Sequence, residues 1–208
     1  MRLGPRFDEA LQYALEAHGD QTRKGTGVPY VSHLLGVASL VLEEAGDEDE
    51  AIAALLHDVV EDQGGTPRLD DVRQRFGDRV ADLVEACSDS LEEDQRLKPP
   101  WKTRKEAYIE RLRTEHDGSA LLVSLADKLY NSRAILRDLK FAEDHQRVWD
   151  RFDRERDCVL WYYRSLVDAF RSRKEGTDRL LEELDASVTE LEELAGGPSA
   201  GCPDDGAH

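Results

Sequence analysis

The segment 57-HDVVED-62 places four ionisable side chains at the end of an apolar stretch. His57 and Asp58 are adjacent, and Glu61 and Asp62 follow one helical turn later. Burying unpaired charges at such a place costs several kcal/mol or more. A divalent cation would offset this cost, because it binds the imidazole lone pair and neutralises the carboxylates. Mixed imidazole and carboxylate ligands suit Mn, Fe, Ni or Zn.

Two ligands do not make a metal site, and the chain offers two further candidates. His33 stands at the start of a predicted helix, and Asp127 is an acid in the middle of a strongly apolar helical segment. Each has another interpretation, since His33 could bond to backbone and Asp127 could pair with a neighbouring Lys or Arg. Together with His57 and Asp58 they complete a set of two histidines and two aspartates.

Two segments of this acidic chain carry local groups of cations. The formal net charge is -17, which argues against general binding of DNA or RNA, since that binding depends on neutralising phosphates. A polyphosphate ligand would therefore need a local basic patch or a metal. The loop 22-TRKGTGVPY-30 carries Arg23 and Lys24, and 96-RLKPPWKTRKEAY-108 carries Lys98, Lys102, Arg104 and Lys105. Either group could equally be an ordinary charged surface.

The elements that must position these residues have helical periodicity almost throughout, which predicts an all-α protein with one domain. Asp47 is the predicted N-cap of the helix that carries the 57–62 segment, and Gly64 is its predicted end. The other predicted helices cover residues 7–18, 33–45, 66–76, 78–88, 101–115, 119–138 and 145–173.

The C-terminal part has a different pattern. An apolar stripe runs along an acidic helix with spacings of 3, 4, 3 and 4, through Leu181, Leu184, Val188, Leu191 and Ala195. It predicts docking on the protein's own core, with a homodimer contact as the alternative. The composition of residues 196–208 predicts disorder. The predicted organisation is a main domain over 1–175, an amphipathic helix over 176–195 and this tail.

Cysteine usage and hydropathy predict a cytoplasmic protein. No apolar run approaches the roughly 20 residues that a membrane span needs, and the N-terminus lacks the apolar core of a signal peptide. The three cysteines, Cys87, Cys158 and Cys202, are scattered and form no CxxC. This spacing predicts reduced thiols and no disulfide framework.

Four ordered segments resemble the HD-domain metal-dependent phosphohydrolases. The similarity is greatest to the hydrolase domain of the Rel/Spo alarmone enzymes and to the small alarmone hydrolases. The matching segments are 18-HGDQTRKGTGVPYVSH-33, 54-ALLHDVVED-62, 76-FGDRVADLV-84 and 125-LADKLYNSR-133. They lie within residues 7–140, so the resemblance implies an HD-type helical bundle over this core.

The resemblance also implies a role for each candidate residue. It implies one Mn(II) ion held by His33, His57, Asp58 and Asp127. It implies that Glu61 and Asp62 position the attacking water and handle its protons, although they could instead be a solvated helix end. It further implies nucleotide contacts for Arg23, Lys24 and Asn131, and contacts to the distal phosphates for Arg104 and Lys105.

The implied activity is removal of the 3′-diphosphate from guanosine tetra- or pentaphosphate, which gives GDP or GTP and pyrophosphate. The sequence departs from the family pattern near the expected pocket. The loop between Lys24 and Pro29 is one residue longer, and Ser124 stands where many relatives carry Lys. These departures keep open the hydrolysis of another nucleotide, such as the adenosine alarmone or a nucleoside phosphate. A third hypothesis is that the metal site is vestigial and the protein is a non-catalytic nucleotide-binding module.

Overall fold

The structure is a computed structural model that describes residues 2–92, 94, 96–173 and 178–204. The predicted all-α class is confirmed, because this part of the chain forms eleven helices and no strand. None of the described helices is both long and apolar enough to cross a membrane. The helices are α1 (Pro5–His18), α2 (Val31–Glu43), α3 (Glu48–Leu56), α4 (Val59–Gln63), α5 (Gly65–Phe76), α6 (Asp78–Cys87), α7 (Trp101–Thr114), α8 (Gly118–Phe141), α9 (Gln146–Trp149), α10 (Arg156–Ser172) and α11 (Asp178–Leu194).

The chain divides into two compact units. The first unit contains Met1–Pro99 and His116–Asp127, and the second contains Pro100–Glu115 and Lys128–His208. The division falls inside the 24-residue helix α8, directly after Asp127. The predicted boundary between residues 175 and 176 lies outside the described residues.

Helix α3 is the buried centre of the first unit. It packs against α1, α2 and α6, and residues 51–56 have no solvent-exposed surface. A helix that is apolar on every side is stable only when other elements surround it. Helix α5 packs on α4 and α6, which supports the short segment that follows α3. The first unit thereby surrounds the end of α3, after which the ionisable residues His57 and Asp58 follow.

The start of α3 agrees with the prediction, but its end does not. Asp47 accepts from the backbone N–H of Glu50 at 3.0 Å, and the Glu50 carboxylate accepts from the Asp47 N–H at 2.5 Å, a capping box. The helix was predicted to continue to Gly64, yet it ends at Leu56, and α4 begins two residues later.

A side-chain hydrogen bond accounts for this break. His57 Nδ1 lies 2.8 Å from the carbonyl oxygen of Ala54, the group that a continuing helix would pair with the N–H of Asp58. His57 and Asp58 therefore lie in a turn between two helices, and not within one continuous helix.

In the second unit, α10 packs against α7 and α11. On α11 the side chains of Leu184, Val188 and Leu191 are buried, and Arg164 of α10 forms ion pairs with the helix across this contact. These three members of the predicted stripe support docking on the protein's own core, the first of its two interpretations. The other two, Leu181 and Ala195, are half-buried, and Leu180 is buried instead. The single helix predicted over 145–173 is instead divided into α9 and α10.

The prediction of reduced thiols and no disulfide is wrong for two of the three cysteines. Cys158 in α10 and Cys202 form a disulfide across a sequence separation of 44, while Cys87 is a buried free thiol. The tail predicted to be disordered is also held by Ser199 Oγ, which donates to the Asp157 carbonyl at 2.7 Å. Disorder therefore does not hold for residues 196–204, and 205–208 lie outside the described residues.

Loss of the disulfide is expected to destabilise the protein. Cys202→Ser should lower the free energy of unfolding by about 2–4 kcal/mol, because the bond restricts a long loop in the unfolded chain. Denaturant unfolding of protein purified without reductant measures this change. Dithiothreitol should reproduce the loss in the wild type and add nothing to Cys202→Ser, and Cys87→Ser serves as the control. A wild type insensitive to dithiothreitol would contradict the assignment.

Candidate metal centre

In the first unit, two histidine nitrogens lie close to each other and to the carboxylates of Asp58 and Asp127. His33 Nε2 lies 3.1 Å from His57 Nε2, 3.2 Å from Asp58 Oδ2 and 3.3 Å from Asp127 Oδ1. His57 Nε2 lies 2.9 Å from Asp58 Oδ2 and 3.5 Å from Asp127 Oδ1. These four residues, here called the histidine–aspartate cluster, are the set identified from the sequence, and the structure brings them together.

The spacing of these atoms matches the edges of a metal coordination polyhedron. With metal–ligand bonds of about 2.1 Å, neighbouring ligands lie about 3.0 Å apart in an octahedral site and about 3.4 Å apart in a tetrahedral one. The five separations that involve a histidine nitrogen, 2.9–3.5 Å, cover this range. Two imidazole nitrogens that face each other need a proton or a cation between them, so the donor set fits a divalent ion.

Three different parts of the fold supply the cluster. His33 comes from the first turn of α2, His57 and Asp58 from the turn before α4, and Asp127 from the middle of α8. The hydrogen bond of His57 Nδ1 to the Ala54 carbonyl makes Nδ1 the protonated nitrogen. The lone pair of the neutral imidazole is then on Nε2, the atom directed at the other three residues.

The electrostatics of the cluster show how strongly it attracts positive charge. Burial disfavours a charged imidazole, but Asp58 and Asp127 outweigh it and hold the pKa of His57 well above its ordinary value. Burial likewise opposes the charge of Asp58, but His57 and His33 hold the pKa of this carboxyl well below its usual range. A proton on the histidine thus takes the place that a cation would fill.

The two acids that follow the cluster are held by hydrogen bonds from loops of the first unit. Asp62 Oδ2 accepts from Gln21 Nε2 at 3.0 Å, and Glu61 Oε2 accepts from the backbone N–H of Asp89 at 3.3 Å. Lys98 Nζ lies 3.5 Å from the Glu61 carbonyl. Burial raises the pKa of Asp62, and the neighbouring Asp58 raises it further.

The loop with Arg23 and Lys24 is a short ordered turn. The Arg23 N–H donates to the Val28 carbonyl at 2.8 Å, and an isolated bridge joins Thr22 to Pro29. Gly25 has a φ of +70°, a conformation that glycine adopts without strain. Arg23 is half-buried and Lys24 exposed. The loop thus presents two cations from a defined backbone.

The other predicted substrate contacts belong to the second unit. Asn131 lies on α8, four residues after Asp127, and Arg104 and Lys105 lie on α7. Lys105 Nζ lies 5.0 Å from the ring centroid of Tyr162, a distance typical of a cation–π contact. Their contacts to a nucleotide stay predictions.

Sequence reasoning missed two residues that touch these acids, Gln21 and Tyr30. Tyr30 donates from its hydroxyl to Asp58 Oδ2 at 2.5 Å. Burial and the negative charge of Asp58 raise the pKa of Tyr30, so the phenol keeps its proton. Both residues lie inside the segment that carried the family resemblance, but no periodicity or charge pattern marks them.

Comparison with known proteins places the chain in a family. The HD domain model matches residues 10–159, and the chain belongs to the HD-domain family. Within it, the chain is similar to guanosine-3′,5′-bis(diphosphate) 3′-pyrophosphohydrolase MESH1 of Homo sapiens, at 38% identity over 84% of this chain and 88% of that protein. The Drosophila melanogaster MESH1 is 35% identical over 86% and 92% of the two chains.

A solved structure supports the same relationship. It is described as a metazoan ortholog of SpoT that hydrolyzes ppGpp, and it matches with a TM-score of 0.66 and 30% identity over 94% of this chain and 98% of that one. The resemblance recognised in the sequence is thereby confirmed at the level of family and fold.

Removal of one cluster member is expected to abolish metal binding. His57→Ala and Asp127→Ala should each weaken Mn(II) binding by more than about 100-fold, since even the partners of metal ligands are worth about 10–100-fold. Isothermal titration with Mn(II) measures the affinity. His116→Ala, which removes an exposed histidine, should bind like the wild type. Normal binding by His57→Ala would exclude the cluster as the metal centre.

Proposed function

We propose that the protein is a metal-dependent pyrophosphohydrolase. It would remove the 3′-diphosphate of guanosine tetra- or pentaphosphate and release pyrophosphate with GDP or GTP. The observation that carries the proposal is that the Nε2 atoms of His33 and His57 lie 3.1 Å apart and that each lies within 2.9–3.5 Å of a carboxylate oxygen of Asp58 and of Asp127. The activity for which the MESH1 relatives are named supports the choice of substrate.

His33, His57, Asp58 and Asp127 would hold the ion, and we propose Mn(II) as the native one. Two imidazoles and two carboxylates form a mixed donor set that suits Mn, Fe, Ni or Zn. A divalent cation bound there lowers the pKa of a water toward neutrality and polarises a phosphoryl oxygen. The burial of both histidines keeps bulk water from competing for these donors.

Glu61 and Asp62 would manage the water that attacks phosphorus. They lie on α4, one helical turn beyond the cluster, and each carboxylate is held by a hydrogen bond from a loop. Glu61 would orient the water. Asp62, whose carboxylate accepts from Gln21 Nε2 at 3.0 Å, would accept the proton as a general base.

Cationic and amide side chains would bind the nucleotide. Arg23 has a planar guanidinium that suits stacking on a purine, and Lys24 next to it would attract phosphate. Asn131 would contact the sugar, and Arg104 and Lys105 the distal phosphates. These contacts offset a formal net charge of -17, which otherwise repels a polyphosphate.

A panel of nucleotides tests the proposed substrate. The purified protein would be incubated with Mn(II) and, separately, with guanosine tetraphosphate, its adenosine counterpart and ordinary nucleotides. Ion-exchange chromatography then resolves the products. Pyrophosphate released from the guanosine compound supports the proposal. Mn(II) binding without any turnover would contradict it and favour a nucleotide-binding module.

A second candidate is the same chemistry on another nucleotide, such as the adenosine alarmone. Ser124, where many relatives carry Lys, is buried in the first unit. Its hydroxyl lies 3.5 Å from Cys87 Sγ. Ser124 and Cys87 are small and neutral, so this position lacks the cation that Lys would supply in relatives. This difference favours an altered substrate. Pyrophosphate released from the adenosine compound alone would select this candidate.

The role of Glu61 is tested by removing its charge alone. Glu61→Gln should retain Mn(II) affinity but lose about 10²–10⁴-fold in kcat, the contribution typical of a positioned acid–base group. Metal titration and initial rates at saturating Mn(II) separate the two effects. Glu16→Gln, an exposed change on α1, is the matched control. Full activity of Glu61→Gln would remove Glu61 from the mechanism.

We also propose a cytoplasmic location and leave a homodimer as a further proposal. The disulfide between Cys158 and Cys202 is of a kind more frequent in oxidising compartments, so cell fractionation is the appropriate test of location. The apolar stripe of α11 packs on α10, so a dimer would need another surface. Analytical ultracentrifugation measures the assembly directly.

A further inference from the structure

Tyr30 lies just before α2 and is held from several directions. Its backbone N–H donates to the Gln21 carbonyl at 2.9 Å. Its ring stacks on His18, with centroids 4.8 Å apart and an interplanar angle of 23°, and meets the His33 ring edge-on at 5.5 Å. These contacts leave the phenol little freedom, so its hydroxyl has a defined direction.

That hydroxyl is directed at the cluster. It donates to Asp58 Oδ2 at 2.5 Å, the same oxygen that lies 3.2 Å from His33 Nε2 and 2.9 Å from His57 Nε2. A carboxylate oxygen has two lone pairs. The Tyr30 hydroxyl occupies one lone pair of Asp58 Oδ2 and leaves the other for the two histidines. This hydrogen bond orients the carboxylate before any ion binds.

His18 supports the ring of Tyr30. It is the last residue of α1 and is buried, at 5% exposure. One face of its ring stacks on Tyr30, and its Nδ1 lies 2.9 Å from Gln21 Oε1. Gln21 in turn donates to Asp62. The arrangement therefore has two branches, one through Tyr30 to Asp58 and one through Gln21 to Asp62.

We infer that Tyr30, supported by the ring of His18, is a positioning residue that sets the metal affinity of the cluster through Asp58. The inference rests on the proposed metal centre and not on the identity of the substrate. Partners of metal ligands orient those ligands, and their loss typically costs about 10–100-fold in metal affinity. The Gln21 branch ends at Asp62, which lies outside the cluster, and should leave metal affinity unchanged.

Titration of the full-length protein with Mn(II) alone, followed by the electron paramagnetic resonance of the free ion, tests the inference. Tyr30→Phe keeps the stacked ring but loses the hydroxyl, and its affinity should fall by about 10–100-fold. Tyr13→Phe is the matched control. It removes a similar bond to Asp71, at 2.6 Å, in the same unit, and should bind Mn(II) like the wild type.

Three further variants distinguish a positioning role from a general loosening of the structure. His18→Ala should weaken Mn(II) binding because it removes the stacking partner of Tyr30, and His18→Phe, which keeps a flat ring, should restore most of the affinity. Gln21→Leu should bind Mn(II) normally. Equal weakening by Gln21→Leu and Tyr30→Phe would show that the loop acts only as a structural support, and would overturn the inference.

The failures of the two proposals are distinguishable. A wild type that binds no Mn(II) would overturn the metal centre, and the inference with it. A wild type that binds Mn(II) while Tyr30→Phe binds equally well would overturn the inference alone. A lack of turnover with every nucleotide would affect only the proposed function, since the titration contains no substrate.

Discussion

The central constraint on this structure is that it buries two imidazoles and two carboxylates next to one another. Their burial costs free energy unless a positive charge offsets it. Three of these groups are almost inaccessible, with His33 at 0%, His57 at 2% and Asp127 at 4% exposure. Their Nε2 and carboxylate oxygen atoms lie so close that they must share a positive charge. Without a cation, the raised pKa of His57 favours its protonated form, which carries this charge. With one, the same geometry becomes a coordination site, and a costly arrangement becomes a stable one.

The position where α3 ends determines where His57 and Asp58 lie in the first unit. Helix α3 is fully buried from Ala51 to Leu56, so a functional side chain in this part of the helix would have no access to substrate. The break after Leu56 turns His57 and Asp58 toward the partners supplied by α2 and α8, while α4 carries Glu61 and Asp62 one turn further. The hydrogen bond of His57 to Ala54 both ends the helix and sets the tautomer of the ligand. One interaction thus links the fold to the chemistry.

The four members of the cluster could be predicted from the sequence, because ionisable residues in apolar helices are costly unless they are partnered. The all-α class also followed from periodicity, and the α3 cap from the Asp47–Glu50 spacing. The break at His57 could not be predicted, since it depends on a side-chain contact that competes with a helix that the periodicity favours. The contacts of Tyr30 and Gln21 could not be predicted either, because their partners Asp58 and Asp62 lie 28 and 41 residues away in the sequence. Composition likewise gives no information on a disulfide that joins residues 44 apart.

Anomalous diffraction at the manganese edge, from crystals grown with Mn(II), tests the central claim most directly. The account predicts one strong peak at about 2.0–2.2 Å from His33 Nε2, His57 Nε2, Asp58 Oδ2 and Asp127 Oδ1. No peak there, or a peak bound by other residues, would contradict the assignment of the cluster as the metal centre.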